Sequence, residues 1–332
     1  MDLSTSYMGL KLKNPVIISS SRLTGDLETI RQCISYGASA IVLKSIFEEQ
    51  MQLRVEARMK QSKENEVYFW YSDAREKVMN LSREAILEHY LEFVKAAKKL
   101  DPTVPVISSI HCKSADIWPR YSREIEKAGA DALELNISIF PFNNSMTCSK
   151  IEDLYVEILK TVKQEVSIPV SIKLGPFFTN LCTIINRLVE AGADGLVLFN
   201  RYFRPDIDIE TLKVVSREHF SSPEEMSLPL RWIALLSGHK IACDLVASTG
   251  IHYDTALIKQ ILVGAKAVEI CSTLFQNGIP HLAKILDGLK SWMKEHNFKT
   301  LDDFRGKSLD YQTTDARFER IQYMKRDFEE TF

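Results

Sequence analysis

Four segments of the chain share a phrase in which the end of a helix, a glycine turn and a short apolar strand follow one another. Glycine after the last helical turn is the usual left-handed cap, and an unbroken apolar run is typical of a parallel strand covered on both faces. The phrase therefore predicts repeated helix-to-strand units of an α/β fold. The four segments are "YGASAIVLKS" at 36–45, "KAGADALELN" at 127–136, "EAGADGLVLFN" at 190–200 and "VGAKAVEICS" at 263–272.

Further apolar runs lie between these segments and bring the predicted strands to about eight, with helical patterns at 82–100, 151–164 and 181–190. This alternation predicts a (β/α)8 TIM barrel. A doubly wound open sheet is the alternative, but no GxGxxG motif opens a helix after any strand. The additional runs are "NPVIISS" at 14–20, "VPVISSI" at 104–110, "IPVSIKLG" at 168–175 and "CDLVAST" at 243–249.

Two stretches interrupt the alternation. Residues 46–81 form an insertion after the second strand, and residues 203–229 form an excursion after the sixth. Insertions after a barrel strand lie on the face that carries the active site, so 46–81 predicts a lid, with a solvated amphipathic helix as the alternative. Since no linker-like composition divides the chain, we predict a single domain over residues 1–332.

Composition narrows the class of protein. The net charge is −2 and the basic residues are spread along the chain, which argues against a nucleic-acid partner. No run approaches the roughly 20 apolar residues of a membrane span, and no signal peptide pattern opens the chain, so we expect a cytoplasmic protein without membrane contact. The six cysteines form no CxxC pair, which indicates reduced thiols and no metal site.

Catalytic groups of such barrels lie at the carboxyl ends of the strands. Here those ends are small and polar, although any one of them is equally typical of a turn or a solvent-facing side chain. The loops after the last two strands fit the backbone phosphate sites of many barrels, which predicts a phosphorylated substrate or cofactor. The strand-end residues are Ser19, Ser20, Lys44, Ser45, His111, Asn136, Ser138, Lys173, Asn200, Thr249, Gly250, Ser272 and Thr273.

Six short motifs spread over nearly the whole chain together resemble those of the dihydroorotate dehydrogenase family, nearest to its soluble class 1 branch. They are "NPVIISSS", "VLKS", "ELNIS", "SIKLGPFF", "STGI" and "TLDDFRGKSL". The resemblance implies an FMN-dependent oxidoreductase of pyrimidine biosynthesis that acts on CH–CH groups. In such an enzyme, hydride passes from a dihydropyrimidine-like substrate to flavin N5.

The resemblance also implies residue roles. Lys173 would lie beside N1 and O2 of the flavin ring, where a cation stabilises the negative charge of the reduced flavin, and Lys44 near the reacting face. The implied cofactor-binding residues are Ser19, Ser20, Lys44, Ser45, Asn136, Lys173, Asn200, Thr249, Gly250, Cys271 and Ser272. The implied substrate-binding residues, whose amides each offer a donor and an acceptor, are Asn136, Asn143 and Asn200.

The proton-transfer residue is where this chain departs from the family. Class 1 members continue the substrate-facing strand with a cysteine base and then Pro-Asn, whereas here Ser138 is followed by "IFP". We therefore predict His111 as the acid/base and Lys44 as the second catalytic residue, because imidazole titrates near neutral pH. Cys148 is the alternative base, and a structural histidine is the alternative role of His111.

Two other functions stay open at this point. The barrel could be a lyase or aldolase that forms a Schiff base on Lys173 or Lys44, or a flavin-binding protein without turnover. For the oxidoreductase, the partners that we expect are a pyrimidine-like small molecule and a soluble electron acceptor, since neither a membrane helix nor an iron–sulfur cysteine cluster is visible. The family resemblance further implies a homodimer.

Overall fold

A computed structural model describes residues 1–48, 72–112, 115–139, 146–202, 204–216 and 219–309. Within the helix Ser72–Lys98, side chains are described from residue 84 onward. Asn143 and most of the predicted lid at 46–81 lie outside the described residues.

Strands within this part of the chain build one closed barrel and two separate hairpins. In chain order they are β1 (Thr5–Tyr7), β2 (Leu10–Leu12), β3 (Val16–Ile18), β4 (Ala40–Val42), β5 (Ile46–Phe47), β6 (Val106–His111), β7 (Ala132–Leu135), β8 (Val170–Leu174), β9 (Gly195–Leu198), β10 (Pro205–Asp208), β11 (Lys213–Ser216), β12 (Asp244–Ser248) and β13 (Ala267–Ile270).

Eight parallel strands form the barrel and are called its staves below, namely β3, β4, β6, β7, β8, β9, β12 and β13. Neighbours in the chain are neighbours in the ring, β13 pairs with β3, and the pairing of β4 with β6 completes the circle. Each of these strands falls inside one of the predicted segments, except that β6 runs one residue past the segment 104–110. The predicted (β/α)8 TIM barrel is therefore confirmed.

The second stave is interrupted, and β5 continues it. Val42 of β4 opposes Ile107, and Ile46 of β5 opposes Ile110. The segment from residue 42 to residue 46 is therefore one residue longer than the opposing segment from 107 to 110, which is a one-residue β-bulge. The bulge lies at residues 43–45, which include two of the predicted site residues.

Helices surround the barrel, and three of the described helices begin just after a residue whose side chain caps them. Asp26, Thr147 and Asn180 each accept a hydrogen bond from the backbone N–H three residues later, which satisfies a donor that the first helical turn leaves unpaired. The helices are Leu27–Ser35, Ser72–Lys98, Ile117–Lys127, Cys148–Glu165, Leu181–Glu190, Ser227–Gly238, Asp254–Leu262, Ser272–Asn277 and His281–Glu295, with 3-10 turns at Leu23–Gly25, Pro223–Met226 and Leu301–Asp303.

Aspartates in two of the repeated phrases anchor strands to helices. Asp131 accepts hydrogen bonds from the first N–H of β6 at 2.6 Å and from Lys98 Nζ at 2.6 Å. Asp194 makes the equivalent bonds to the first N–H of β8 at 2.8 Å and to Lys163 Nζ at 2.7 Å. The repeat in the sequence therefore corresponds to a repeated contact in the barrel.

An antiparallel hairpin of β1 and β2 closes the amino-terminal mouth of the barrel. Its Tyr7, Met8 and Leu12 pack against inward-facing residues of most staves, which form an apolar cluster separate from the layer under the helices. Tyr7 lies so close to Gly195 that a Cβ there would be 2.6 Å from the ring. The sequence motifs did not indicate this hairpin.

The excursion predicted at 203–229 contains the hairpin of β10 and β11, followed by the 3-10 turn Pro223–Met226. The side chains of Ile207, Ile209, Leu212 and Val214 are exposed along this hairpin. Among the described helices, none is long and apolar enough to cross a membrane.

Candidate functional site

A polar cleft of about 200 Å³ opens at the carboxyl ends of the staves. Many of the predicted cofactor residues line it, namely Ser19, Ser20, Lys173, Asn200, Thr249, Gly250, Cys271 and Ser272. Lys44, Ser45, Asn136 and His111 are not part of this lining. Strand ends that are far apart in the sequence thus converge at one site, as a parallel barrel requires.

Lys173 lies at the floor of the cleft and points into a cluster of buried polar groups. Its ammonium donates to Glu269 Oε2 at 2.5 Å and to Ser19 Oγ at 2.8 Å, and Ser19 in turn donates to Glu269 Oε2 at 2.9 Å. Glu134 Oε1 is 3.6 Å from the same ammonium. All four side chains are buried, so these contacts take place with little screening by water.

The pKa values of the three ionisable groups in the cluster are shifted in different directions. Burial opposes ionisation of all three groups. The Glu134 and Glu269 carboxylates outweigh this effect at Lys173 and hold the pKa of its ammonium above the ordinary value. Burial and the neighbouring Glu269 raise the pKa of Glu134 well above 4.5, whereas Lys173 and several hydrogen bonds overcome burial and lower the pKa of Glu269. Of the two carboxyl groups, Glu134 therefore keeps its proton to higher pH than Glu269 does.

A chain of serine hydroxyls runs from the cleft to the bulge in the second stave. Ser20 Oγ accepts from the backbone N–H of Ser45 at 2.9 Å, and the two hydroxyls are 3.0 Å apart. Ser45 Oγ continues to Ser109 Oγ at 2.7 Å. Ser45 therefore touches the cleft through Ser20.

The end of the cleft predicted to bind phosphate is built around a strained turn. Thr249 and Gly250 have φ values of 84° and 79°. This region is costly for a β-branched residue, and the threonine hydroxyl stabilises the turn by donating to the Phe199 carbonyl at 3.1 Å.

Ser221 of the excursion enters the same end of the cleft. The Gly250 N–H donates to Ser221 Oγ at 3.3 Å, and the Ser221 N–H donates to Ser272 Oγ at 3.0 Å. His252, buried beneath, has its Nε2 at 3.1 Å from Ser221 Oγ. The serine hydroxyl therefore stands between the two loops that the sequence assigned to the phosphate.

The segment that carries Ser221 is held in place by packing and by an ion pair. A Cβ on Gly250 would come within 2.1 Å of the Met226 backbone nitrogen, so the 3-10 turn lies directly on the glycine. Arg201 Nε donates to Glu225 Oε2 at 3.0 Å, and Arg204 donates to the same oxygen at 2.8 Å. A guanidinium from this anchored pair, that of Arg201, also lines the cleft.

Two predicted substrate amides are hydrogen-bonded to each other. Asn200 Nδ2 donates to Asn136 Oδ1 at 2.9 Å, which fixes both amide planes. The arrangement leaves the Asn136 NH2 group as a donor and Asn200 Oδ1 as an acceptor.

His111 lies directly beside this amide pair. Its Nδ1 is 2.7 Å from the Asn136 carbonyl oxygen, which can only accept, so the proton is on Nδ1. Nε2 of the neutral ring consequently keeps its lone pair. The Phe47 ring, with its centroid 5.2 Å from that of His111, supports the imidazole from β5.

Lys44 and Cys148 lie less favourably than His111 for the catalytic roles predicted for them. The Lys44 side chain packs against Gly25, where a Cβ would be 3.0 Å from Lys44 Cδ, and its N–H donates to the Thr24 carbonyl at 3.1 Å. Cys148 is exposed at the first residue of the helix Cys148–Glu165 and belongs to a second cavity rather than the polar cleft.

That second cavity measures about 580 Å³ and is largely apolar. It adjoins the amide pair along the chain, because Ser138 and Tyr202 each follow one of the two asparagines by two residues. Its described lining contains no lysine or arginine and consists of Ser138, Ile139, Cys148, Ile151, Glu152, Tyr155, Gly175, Phe177, Phe178, Thr179 and Tyr202.

Sequence reasoning missed several residues of the cleft. Glu134 and Glu269 carried a visible signal, since each is an acidic residue inside an apolar strand of the repeated phrase. Arg201, His219 and Ser221 carried none, because they follow the sixth stave in an irregular segment and reach the cleft only through long-range contacts.

The donor set of the cleft fits a flavin mononucleotide. Lys173 offers a buried cation at one end for an electron-rich ring edge, and Ser19 and Ser20 add hydroxyls. Ser221, Ser272 and the guanidinium of Arg201 offer donors for a phosphate at the other end.

A comparison with protein families agrees with this geometry: the model described as dihydroorotate dehydrogenase matches residues 2–293. A dihydroorotate dehydrogenase B (NAD(+)) catalytic subunit of Methanocaldococcus jannaschii is 29% identical over 315 residues, covering 92% of this chain and 97% of the relative. The corresponding subunit of Thermoplasma acidophilum is 26% identical over 312 residues, covering 93% and 99%.

A chloroplastic dihydropyrimidine dehydrogenase (NADP(+)) of Arabidopsis thaliana is 25% identical over 342 residues, covering 94% of this chain and 78% of the relative. Relatives named for two different dihydropyrimidine reactions thus align with nearly the whole chain. Because the family model spans most of the sequence, this protein belongs to the dihydroorotate dehydrogenase family.

Proposed function

We propose that this protein is an FMN-dependent oxidoreductase that removes a hydride and a proton from the CH–CH bond of a dihydropyrimidine-like substrate. The observation that carries the proposal is the position of the Asn136–Asn200 amide pair, with His111 beside it, next to the cleft that contains Lys173. One site thus combines recognition of a planar amide with a proton acceptor and a cation. Membership of the family supports the same reaction.

Lys173, Ser19 and Ser20 would hold the flavin ring, and Ser221, Ser272 and Arg201 its phosphate. When bound, the flavin supplies a hydride acceptor at N5. Lys173 is buried, so its charge would act strongly on a ring edge above it. The predicted contacts of Thr249, Gly250 and Cys271 with the phosphate belong to this proposal as well.

The amide pair suits a cyclic imide or urea. Because Asn200 donates to Asn136, the pair offers a ligand one N–H donor and one carbonyl acceptor. The –CO–NH– edge of a dihydropyrimidine has the complementary acceptor and donor. Asn143 is proposed as a third amide from the resemblance alone.

His111 is the proposed base. Its Nδ1–H is held by the Asn136 carbonyl, so the lone pair on Nε2 is fixed in direction and available to a proton. The same residue that positions the substrate amide therefore also positions the base. Lys44 keeps its proposed place near the reacting face only through the resemblance.

The surroundings of Lys173 support a Schiff-base lyase less well than they support an oxidoreductase. Such a lysine must lose its proton easily, and enzymes achieve this with a lowered pKa. Here two carboxyl groups overcome the effect of burial and hold the Lys173 pKa above its ordinary value. Borohydride trapping with a carbonyl compound tests the remaining alternative at Lys44.

The second cavity favours an uncharged substrate. Dihydroorotate carries a carboxylate, and no described residue that lines this cavity is a lysine or arginine. Dihydrouracil has the same amide edge without the carboxylate. We therefore expect dihydrouracil to reduce the bound flavin faster than dihydroorotate does.

Spectroscopy of the purified protein tests the function. The protein should show the flavin band near roughly 450 nm, and anaerobic dihydrouracil or dihydroorotate should bleach it. A band that neither substrate bleaches would indicate flavin binding without this reaction. A protein that has no band, and acquires none with added FMN, would contradict the proposal as a whole.

His111→Asn tests the base, because the asparagine amide can keep the hydrogen bond to the Asn136 carbonyl. Loss of general-base catalysis should slow anaerobic flavin reduction by about 10² to 10⁴-fold while flavin binding stays unchanged. Cys148→Ser is the matched control, since it removes the alternative base. The assignment is reversed if the serine variant is slow and the asparagine variant is not.

The homodimer is inferred from the family resemblance alone, and the acceptor, location and domain count from features of the sequence. We propose a soluble electron acceptor, a homodimer and a single domain over residues 1–332 in the cytoplasm. Light scattering on the purified protein would decide the homodimer, and stopped-flow reoxidation with NAD(+), fumarate or a water-soluble quinone would decide the acceptor.

A further inference from the structure

Two glutamates and one lysine share the interior of the barrel beneath the cleft. Lys173, Glu134 and Glu269 are buried on three different staves, β8, β7 and β13. Glu134 Oε1 and Glu269 Oε1 receive no hydrogen bond from any described N–H or O–H donor. Two carboxyl groups with an unsatisfied oxygen each, beside one ammonium, form a site that can hold one proton or two.

With one proton on the carboxyl pair, the cluster is neutral. The Lys173 ammonium then gives two of its three N–H donors to the cluster, at 2.5 Å to the ionised Glu269 and at 2.8 Å to Ser19 Oγ. A second negative charge above Lys173 would have to share that ammonium with Glu269. Carboxylates in a buried site accept a proton when the cation that stabilises them is shared.

We propose that the Glu134–Glu269 pair takes up one proton from solvent when a flavin bound in the cleft is reduced. The inference rests on the proposed function. In the balanced step, a flavin held in the cleft would accept the hydride of the substrate while the base accepts its proton, so Lys173 would face one added negative charge. The solvent proton converts the Glu269 carboxylate to the acid. Lys173 then no longer shares its positive charge with Glu269, and this charge stabilises the ring alone.

The surroundings of the pair add no competing charge. Tyr7 lies below it from the hairpin, with burial as the main reason that its pKa is well above 10. Cys271 lies to one side, and burial likewise raises the pKa of its thiol. Ser19 and Ser171 are neutral hydroxyls. Among the described residues, neither Tyr7 nor Cys271 therefore adds a negative charge beside the pair near neutral pH.

Proton uptake on reduction is the direct test. The flavin-loaded protein is reduced anaerobically with dithionite in weakly buffered solution at about pH 8, and bound protons are counted with an indicator dye after subtracting the reductant's own release. Wild type should bind one proton more per flavin than the double variant Glu134→Gln/Glu269→Gln, which is isosteric and leaves neither carboxyl group of the pair. Tyr7→Phe, which leaves both carboxyl groups in place, should match wild type.

A second measurement needs no variant. The infrared difference spectrum of the wild-type protein, reduced minus oxidised, should gain a carboxylic acid C=O band and lose carboxylate bands. Equal proton counts in wild type and the double variant Glu134→Gln/Glu269→Gln, or a difference spectrum without the acid band, would overturn the inference while leaving the flavin chemistry intact. Failure of the proposed function would show itself separately, as protein that binds no flavin.

Discussion

Gly250→Ala is the substitution whose cost the structure defines most sharply. A Cβ at this position would meet the Met226 nitrogen at 2.1 Å, its Cα at 2.7 Å and the Glu225 carbonyl carbon at 2.8 Å. All three are backbone atoms, so no side-chain rotation relieves the overlap. The residue also has a φ of 79°, which an L-residue other than glycine adopts at a cost of about 1–2 kcal/mol.

Overpacking of this kind adds about 1–3 kcal/mol, which gives a total destabilisation of about 2–5 kcal/mol. For a chain of 332 residues the unfolding entropy is roughly 0.7 kcal/mol/K, at about 2.1 cal/mol/K per residue. The midpoint of thermal unfolding should therefore fall by about 3–7 °C in differential scanning calorimetry.

Gly9→Ala is the matched control. Gly9 has nearly the same φ, 78°, but a Cβ there would meet nothing within 4 Å. It should cost only the conformational part, about 1–2 kcal/mol or about 1–3 °C. If the two variants unfold within about 1 °C of each other, the 3-10 turn Pro223–Met226 does not rest on Gly250, and the described position of Ser221 is wrong.

Three further predictions concern buried and exposed groups. The raised pKa of Glu134 contributes stability below its ordinary value of 4.5 that is lost as pH rises above that value, so Glu134→Gln should gain stability relative to wild type as pH rises from 4.5, by up to about 1.4 kcal/mol per pH unit, measured by urea unfolding. Tyr7→Phe should leave the unfolding midpoint unchanged or raise it, because the buried Tyr7 hydroxyl has no hydrogen-bond partner among the described residues; a clear fall would reveal one. Maleimide should label the exposed Cys148 first and Cys33, whose pKa burial raises to about 11, far more slowly, as peptide mapping of partly labelled protein would show.

The fold could be predicted because its signal is local and repeated. Each of the four units contains its helix end, glycine and buried strand within about ten residues, and β4, β7, β9 and β13 lie in these units; the other four barrel strands begin within the additional apolar runs. The hairpin of β1 and β2 was missed because each of its strands has only three residues, too short for a period-2 pattern to stand out.

The charged cluster could have been predicted from the same repeat. The fifth residue after the glycine is Val42, Glu134, Val197 and Glu269 in the four segments. Both valines face the barrel interior, so the two glutamates at the equivalent position must face it as well. Aligning the four repeats on their glycine, rather than considering only the residues at the strand ends, would have placed both acids beneath Lys173.

The approach of Ser221 to the cleft could not have been predicted this way. Its partners lie 29 and 51 residues further along the chain, and the backbone that delivers it has no regular pattern. The roles of the strand-end residues were available only from the family resemblance, because polarity at a strand end is equally compatible with an ordinary turn.

Closure of the barrel by the amino-terminal hairpin has a kinetic consequence. Tyr7, Met8 and Leu12 seal the mouth nearest Glu134, so water reaches the buried acids from the opposite face, through the cleft. A ligand seated in that cleft covers the route. Exchange of the buried acid proton for deuterium should then be fast in the ligand-free protein and slow in the loaded one. The cleft would thus control the rate of proton exchange as well as bind the ligand.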